Sequence, residues 1–174
     1  LNANGGTFTK GGNKSETIEV EYVYGTYASY DEAKLINTYL EEQNITITRD
    51  GYTFKDWYNA TSGGSTYKRL YVTDDKTIYA QWTANTYTVT FNSNNGKLQT
   101  KTQSFTYDVT QQLQPNTFAY PGYLFLGWSM DKDATTALYT NSQNIKNLTA
   151  ENNGNVTLYA VWKENKLNII YSAN

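Results

Sequence analysis

An internal repeat is the feature that most constrains the fold of this 174-residue chain. Ile78-Tyr79-Ala80-Gln81-Trp82 recurs 80 residues later as Leu158-Tyr159-Ala160-Val161-Trp162. Gly51-Tyr52-Thr53-Phe54, followed by Trp57, recurs as Gly122-Tyr123-Leu124-Phe125, followed by Trp128. Recurrence of both segments in the same order indicates tandem copies of one supersecondary unit. We therefore expect two modules, residues 1–83 and residues 84–163, of roughly 80 residues each.

Both ends of the chain align with the opening of a module. Leu1-Asn2-Ala3-Asn4-Gly5-Gly6 matches Phe91-Asn92-Ser93-Asn94-Asn95-Gly96, so the first module starts without the counterpart of Tyr87–Thr90. Residues 164–174 match the opening of the second module, and we expect them to be the first strand of a following module. A missing strand and a spare strand together predict head-to-tail self-association, in which Leu167–Tyr171 of one molecule adds to the first module of another.

The second module reads mainly as β-strands. β-Branched and aromatic residues alternate from Tyr87 to Phe91, and Asn95-Gly96 is a typical hairpin turn before a strand near Gln103–Tyr107. Two more strands are predicted at Tyr123–Trp128 and Val156–Trp162. The span from residue 110 to residue 119 contains a proline, so at most one helical turn fits there.

The first module differs by an insertion, residues 31–42, whose pattern predicts a helix. Its apolar residues share helical spacing and would pack on the sheet: Leu35, Ile36, Tyr39 and Leu40. Asp31 and Glu32 would lie in the first turn, where acidic side chains favour the helix dipole. A hairpin, then a helix or turn, then further strands is the β-grasp order. The predicted class is α+β and β-rich, with two tandem small β-grasp (ubiquitin-like) modules.

Fixed positions of the second module resemble a known family. The strand at residues 87–91 before an Asn-Gly turn, Pro121-Gly122-Tyr123, Gly127-Trp128, Leu148-Thr149 and the closing Leu158–Trp162 occur in the order of the Listeria/Bacteroides repeat, also called the internalin B-repeat. The resemblance covers residues 86–162, and the first module shares the Gly-Tyr-x-Phe-x-x-Trp and Tyr-Ala-x-Trp elements. It implies a ubiquitin-like β-grasp fold, strung in arrays on large bacterial surface proteins with roles in spacing and adhesion.

Composition excludes several classes of function. The chain has no histidine and no cysteine, which removes the commonest general base near neutral pH, thiolate metal ligands and disulfides. Lys and Arg total 14 against 16 Asp and Glu, a net charge of −2 without the basic stripe that nucleic acid requires. No run of about 18 apolar residues predicts membrane insertion. We expect no catalytic residue, no cofactor and no metal site, and any export signal or wall anchor to lie outside this sequence.

Three acidic arrangements could carry chemistry or could be solvated surface. Glu19 and Glu21 lie two residues apart on a predicted strand and could act as a carboxylate pair in glycoside hydrolysis, but nothing in the sequence indicates a cleft around them. Asp74-Asp75 and Asp131-Lys132-Asp133 supply oxygen atoms for calcium, yet both lack the glycine and the terminal glutamate of an EF-hand loop. Solvated strand and turn residues are the favoured interpretation in each case.

The aromatic residues divide into repeated and unrepeated positions. The repeated ones are predicted to form the core of each module, since a position used twice is expected to carry packing: Trp57, Trp82, Trp128, Trp162, Tyr79 and Tyr159. The unrepeated tyrosines are candidates for an exposed contact surface, the alternative being half-exposed strand faces: Tyr27, Tyr30, Tyr58, Tyr67 and Tyr71.

The predicted function is a non-catalytic tandem-repeat segment of a bacterial cell-surface protein, acting outside the cell as a stalk or spacer and as an adhesion module. The alternative is a carbohydrate-binding module that recognises surface glycans through its aromatic residues. The expected partner is a host or bacterial surface protein or a glycan, and no nucleic acid.

Overall fold

The computed structural model describes residues 1–21, 23 and 25–171. The chain divides into two compact units, Leu1–Ala84 and the residues from Asn85 onward. Strands dominate both units, and the described residues include a short α-helix, so the chain is β-rich and compatible with the predicted α+β class. In this part of the chain no helix has the length and apolar character needed to cross a membrane.

The first unit contains two small antiparallel sheets that share one core. Its elements are β1 (Thr7–Lys10), β2 (Asn13–Ser15), α1 (Ile36–Glu42), β3 (Ile45–Thr48), β4 (Tyr52–Tyr58) and β5 (Tyr79–Ala84). Strand β1 pairs with β2 on one side and with β3 on the other, while β4 pairs with β5. The core includes Phe8, Leu40, Trp57 and Ile78, each no more than 4% exposed.

The second unit contains a mixed sheet. Its elements are β6 (Thr86–Asn92), β7 (Thr100–Thr106), β8 (Gln111–Gln112), β9 (Tyr123–Ser129), β10 (Asn144–Ile145) and β11 (Gly154–Glu164). The described strands of the main sheet run in the order β7-β6-β11-β9, in which β6 and β11 are parallel and the other neighbours are antiparallel. Alternate residues of β6 face the core, so Tyr87, Val89 and Phe91 are at most 2% exposed.

The main strands of the second unit lie where the alternation of the sequence predicted them, but the connection between the first two strands differs. Residues 93–99, not a two-residue turn at Asn95-Gly96, join β6 to β7. The loop is longer because the buried Asn95 turns inward, where its side chain donates to the Ala119 carbonyl and accepts from the Lys97 N–H. Between residues 110 and 119 the chain contributes β8 and forms no helical turn, which agrees with the expectation that at most one turn fits there.

The predicted helix is confirmed only in its second half. Helix α1 begins at Ile36, so Asp31 and Glu32 lie outside it and no acidic residue occupies its first turn. The backbone before it is held in an extended bridge between Leu35 and Arg69, which prevents an earlier start. Leu35 is 42% exposed, so the prediction that it packs on the sheet was wrong. Ile36 and Leu40 are buried as expected.

The tail after the second unit is extended and exposed. Strand β11 ends at Glu164, and residues 165–171 form no strand within the described chain. Leu167, Ile169, Ile170 and Tyr171 are between 77% and 90% exposed. The predicted opening strand is thus present as sequence but unpaired in the described residues, and its last residues, 172–174, lie outside them.

Candidate contact surface

The repeated tryptophans hold the same places in both units. Trp57 and Trp128 are each 1% exposed, and each lies against the phenylalanine three residues before it, with ring centroids 5.4 Å and 5.0 Å apart. Trp82 and Trp162 are half-buried at the edge of the two cores. Their indole N–H groups donate to equivalent backbone carbonyls, of Ala3 at 2.9 Å and of Ser93 at 2.8 Å. The indole N–H groups of both tryptophans are therefore satisfied by hydrogen bonds within their own unit.

The repeated tyrosines lie on the strands that close each unit. Tyr79 and Tyr159 are half-buried, whereas the residues on either side of them, such as Ala80 and Ala160, point into the two cores. Tyr79 is opposite Tyr58 in the β4–β5 ladder, and Tyr159 is opposite the buried Ser129 in the β9–β11 ladder. Tyr123, which follows the repeated Gly122, is 38% exposed and stacks on Tyr120 outside the core, with ring centroids 4.0 Å apart.

An asparagine pair, Asn92 and Asn94, organises the start of the second unit. Asn94 has a left-handed backbone, with φ of 46°, and its N–H donates to Asn92 Oδ1 at 2.9 Å. Asn94 Nδ2 donates to the Lys132 carbonyl at 2.8 Å and to the Ala160 carbonyl at 3.1 Å. One side chain therefore ties the opening loop to the loop after β9 and to the closing strand.

The first unit repeats this arrangement. Asn4 has φ of 49°, its N–H donates to Asn2 Oδ1 at 2.7 Å, and its Nδ2 donates to the carbonyls of Thr61 and Ala80, both at 2.8 Å. The available signal was the Asn-x-Asn spacing that recurs where the openings of the two modules align.

Each unit also carries the same β-bulge beside its buried tryptophan. In the first unit Lys55 is the extra residue, because the pairing with β5 passes from Phe54 directly to Asp56. In the second unit the extra residue is Leu126, and Gly127 follows it. A Cβ atom on Gly127 would lie 2.3 Å from the Tyr139 carbonyl oxygen, so this close backbone approach requires glycine.

Three of the unrepeated tyrosines meet on the first unit. The Tyr30 ring lies edge-on to the rings of Tyr67 and Tyr71, with centroids 5.9 Å and 6.2 Å apart. The Tyr67 hydroxyl donates to the Tyr71 carbonyl, and the Lys76 ammonium lies 5.3 Å from the centre of the Tyr67 ring. Tyr30 is 36% exposed and the other two are half-buried. We call Tyr30, Tyr67 and Tyr71 the tyrosine surface.

A charged pair borders the tyrosine surface. Lys68 Nζ lies 2.6 Å from Asp56 Oδ2, and the Lys68 N–H donates to the Tyr30 hydroxyl oxygen at 3.1 Å. The hydrogen bond to Asp56 raises the pKa of Lys68, to which the nearby phenols of Tyr58 and Tyr30 also contribute. Tyr58 is half-buried, and the Lys55 ammonium lies 5.3 Å from the centre of its ring. Aromatic edges beside hydrogen-bonding and charged groups suit contact with a polar ligand that has apolar faces.

The other candidate residues of the first unit are Tyr27 and the pair Glu19 and Glu21. Tyr27 is half-buried. The pKa of Lys34 is raised, mainly by the hydrogen bond of Lys34 to Glu42 and to a smaller extent by the charge interaction with Tyr27. Glu19 and Glu21 are exposed on a described stretch that forms no strand. No group of three acidic, histidine or cysteine residues that could hold a metal occurs in the described residues.

The second unit has a surface depression of about 570 Å³ between β7 and residues 117–119. Lys97 and Lys101 line it, together with amide, hydroxyl and apolar groups, and its described lining contains no carboxylate. It therefore lacks the acidic pair that glycoside hydrolysis requires.

Comparison with known proteins places these features in context. The family model of the Listeria-Bacteroides repeat domain matches residues 2–81 and 87–161. Internalin H of Listeria monocytogenes is 37% identical over 123 residues, which are 68% of this chain and 20% of that protein. A protein of Evansella cellulosilytica, provisionally named a Gly-rich membrane protein, is 30% identical over 157 residues, 82% of this chain and 17% of its own length.

Another Evansella cellulosilytica protein, provisionally named a membrane protein, is 26% identical over 169 residues, 95% of this chain. The chain spans 17% to 22% of the length of these relatives. No solved structure matches it.

Proposed function

Because the chain belongs to the Listeria-Bacteroides repeat family, we propose that it is a non-catalytic repeat segment of a bacterial cell-surface protein. In this proposal it lies outside the cell, spaces a binding domain away from the surface, and contributes to adhesion. The family assignment and the names of the relatives, an internalin and two membrane proteins, support a surface location.

The observation that carries the spacer role is the duplication of one set of structural contacts. Each unit has its own buried tryptophan, its own half-buried tryptophan bonded to the opening loop, and its own asparagine bonded to the closing strand. The repeated residues are thereby used in holding each unit together. A series of such units with short joints is suited to extending a protein. Each added unit brings its own core and therefore adds length without changing the packing of the others.

The β-grasp fold is part of the same proposal. The order β7-β6-β11-β9, with the first and last strands parallel at the centre, is the strand order expected of that fold. In the first unit Asn2 forms a parallel bridge with Tyr79, and the aligned residues Asn92 and Tyr159 pair in the same way in the second unit. These two observations support one topology for both units.

Surface display tests the spacer role. A reporter domain with a known ligand is anchored to a bacterial cell directly, through one copy of residues 1–174, or through a flexible Gly-Ser linker of equal residue number. We expect more reporter to capture bead-bound ligand with the repeat segment than with the linker, because a folded unit cannot collapse as a random coil does. Capture equal to that of the directly anchored reporter would contradict the proposal.

A carbohydrate-binding role is the second candidate, and the tyrosine surface is the observation that favours it. Glycan-array binding of the wild-type chain, lost in Tyr30→Ala and retained in the control Tyr171→Ala, would support it, since Tyr171 is 89% exposed on the tail. An array without signal for the wild-type chain would contradict the carbohydrate-binding role and would leave the spacer role as the remaining candidate.

A further inference from the structure

Strand β7 lies at one edge of the main sheet of the second unit. In the order β7-β6-β11-β9 it pairs with β6 on one side, and its other side has no strand neighbour in the described chain. The Tyr107 N–H donates to the Asn85 carbonyl at 2.8 Å, so the odd-numbered residues of β7 direct their backbone groups towards β6. The even-numbered residues direct theirs to the outer edge: Thr100, Thr102, Ser104 and Thr106.

The second half of this outer edge is covered by the chain itself. The Thr106 N–H donates to Gln111 Oε1 at 2.7 Å, and the Ser104 carbonyl accepts from Gln111 Nε2 at 3.3 Å. The covered part ends at Gln103, whose side-chain oxygen accepts from the Gln114 N–H at 2.9 Å. Side chains and loop therefore take the place of a further strand along this half.

The first half of the outer edge is open. The outward N–H and C=O groups of Thr100 and Thr102 have no hydrogen-bond partner among the described residues. Residues 117–119 do not pair with β7 here, and Asn95 ties them to the preceding loop through the Ala119 carbonyl. The surface depression lies between the open edge and these residues. An unpaired strand edge beside a depression is a place where an extended peptide can add as a strand.

The side chains around the open edge favour an acidic peptide. Lys97 and Lys101 line the depression, and its described lining contains no carboxylate. Phe118 supplies an apolar surface there, held by its edge-on contact with the buried Trp128 at a centroid distance of 6.2 Å. A second copy of the chain that added through its own β7 would bring the Lys101 side chains of both copies into one ladder, where like charges repel.

We propose that the outer edge of β7 binds an extended peptide segment of a partner protein that carries acidic side chains. The peptide backbone pairs with Thr100 and Thr102, its carboxylates lie near Lys97 and Lys101, and its apolar side chains contact Phe118. Main-chain bonds provide affinity for an extended segment, and the lysines select an acidic one. The site is contained in the second unit and does not depend on the spacer role, so either proposal can fail without the other.

Fluorescence anisotropy with a labelled peptide tests the site. The probe is the capped peptide Glu-Val-Glu-Val-Glu-Val, titrated with the chain of residues 1–174. We expect saturable binding that weakens as salt is raised, because exposed charges are screened. The same peptide with lysine in place of glutamate should not bind. No saturable binding of the acidic peptide, or equal binding of the lysine peptide, would overturn the proposal.

A peptide with a blocked backbone separates strand addition from charge attraction. N-methylation of every residue of the probe keeps its carboxylates and removes the backbone N–H donors that a strand would use. Strand addition predicts that the methylated peptide does not bind. A methylated peptide that binds as well as the probe would show that charge alone attracts it and would contradict the proposal.

A pair of variants at Thr102 tests the edge itself. Thr102→Pro removes the outward N–H, and an edge strand tolerates proline where the N–H does not pair within the sheet. We expect Thr102→Pro to weaken binding at least about tenfold, through the lost bond and the bulk of the ring at the edge. Thr102→Val keeps the N–H and should bind as the wild type does, and circular dichroism checks that both variants fold. Equal binding by two folded variants would rule out pairing at this edge.

Charge reversal tests the lysines without changing the backbone. Lys101→Glu should weaken binding of the acidic probe about fivefold or more, because it replaces an attraction by a repulsion. Lys163→Glu is the matched control, since Lys163 is exposed and does not line the depression. It makes the same change in net charge and should leave binding nearly unchanged. Equal losses in the two variants would mean that the probe does not bind at the depression.

Amide hydrogen exchange identifies the strand positions that the peptide covers. In the free chain the outward amides of Thr100 and Thr102 should exchange faster than that of Gln103, which is directed towards β6. Saturation with the acidic probe should slow exchange at Thr100 and Thr102 and change Gln103 little. Exchange at Thr102 that is unaffected by a saturating peptide would overturn the assignment of the site to β7.

Discussion

Trp57 and Trp128 occupy aligned, fully buried positions, yet their indole N–H groups differ in environment. Trp57 Nε1 donates to Asn37 Oδ1 at 2.8 Å, and Asn37 belongs to helix α1. Trp128 Nε1 is buried without a hydrogen-bond partner among the described residues. An unsatisfied buried donor costs about 1–3 kcal/mol, so the contribution of Trp128 to stability must come from its packing.

The packing of Trp128 can be measured by truncation. Trp128→Ala should destabilise the second unit by about 3–5 kcal/mol, enough to unfold a domain of this size. Trp162→Ala should cost less, because Trp162 is only half-buried. Thermal denaturation followed by circular dichroism measures both, with Leu138→Ala as a control at a site that is 60% exposed. A transition unchanged by Trp128→Ala would disprove the core assignment.

Asn94 combines a left-handed backbone with two hydrogen bonds from its side chain, and substitution can separate the two effects. Asn94→Gly keeps the backbone conformation and loses the side-chain bonds, at about 1 kcal/mol each. Asn94→Ala loses the same bonds and adds about 1–2 kcal/mol for a left-handed residue with a Cβ. Urea denaturation should rank the wild type above Asn94→Gly and Asn94→Ala last. Equal stability of the two variants would mean that the backbone relaxes.

At the scale of elements, the start of helix α1 is set by a contact between distant residues. The helical spacing of apolar residues alone predicts a start that is too early. Leu35 has helical spacing with Tyr39, but its backbone bridges Arg69 and its side chain is 42% exposed. The helix proper then buries Ile36 and Leu40 against the strands of the first unit. The buried face of this element is therefore narrower than the sequence pattern indicates.

A comparison of two leucines tests that narrower face. Leu40→Ser removes a side chain that is 4% exposed and buries a hydroxyl, so it should destabilise the first unit by about 2–5 kcal/mol. Leu35→Ser should change the free energy of unfolding by about 0.5 kcal/mol or less, as exposed substitutions usually do. Hydrogen exchange of the β1–β3 amides would report both. A similar loss of amide protection in both variants would show that Leu35 contributes to the core as Leu40 does.

At the scale of the whole molecule, each unit draws its core from its own residues. The cluster of the first unit spans Leu1 to Trp82, and that of the second spans Tyr87 to Trp162, without a shared side chain. We therefore expect Trp128→Ala to unfold the second unit while the amide NMR signals of residues 1–84 keep their positions. Loss of the signals of both units would show that the second unit stabilises the first.

Much of the architecture could be read from the sequence, because alternation and repetition are local signals. Period-two patterns define strands such as β6 and β11, and recurrence of Trp57 as Trp128 marks equivalent places in two modules. The α+β class and the family resemblance could both be recognised without knowledge of the tertiary contacts. These features depend on neighbours along the chain and on copies of the same motif.

What only the tertiary structure decided are contacts between residues far apart in sequence. Asn94 meets the carbonyls of Lys132 and Ala160, and Tyr30 meets Tyr67, over separations that no periodic pattern encodes. The start of α1 depends likewise on the bridge to Arg69. A local pattern specifies which face of an element is apolar, but hydrogen-bond partners and exposed surfaces depend on which distant segments the folded chain brings against that face.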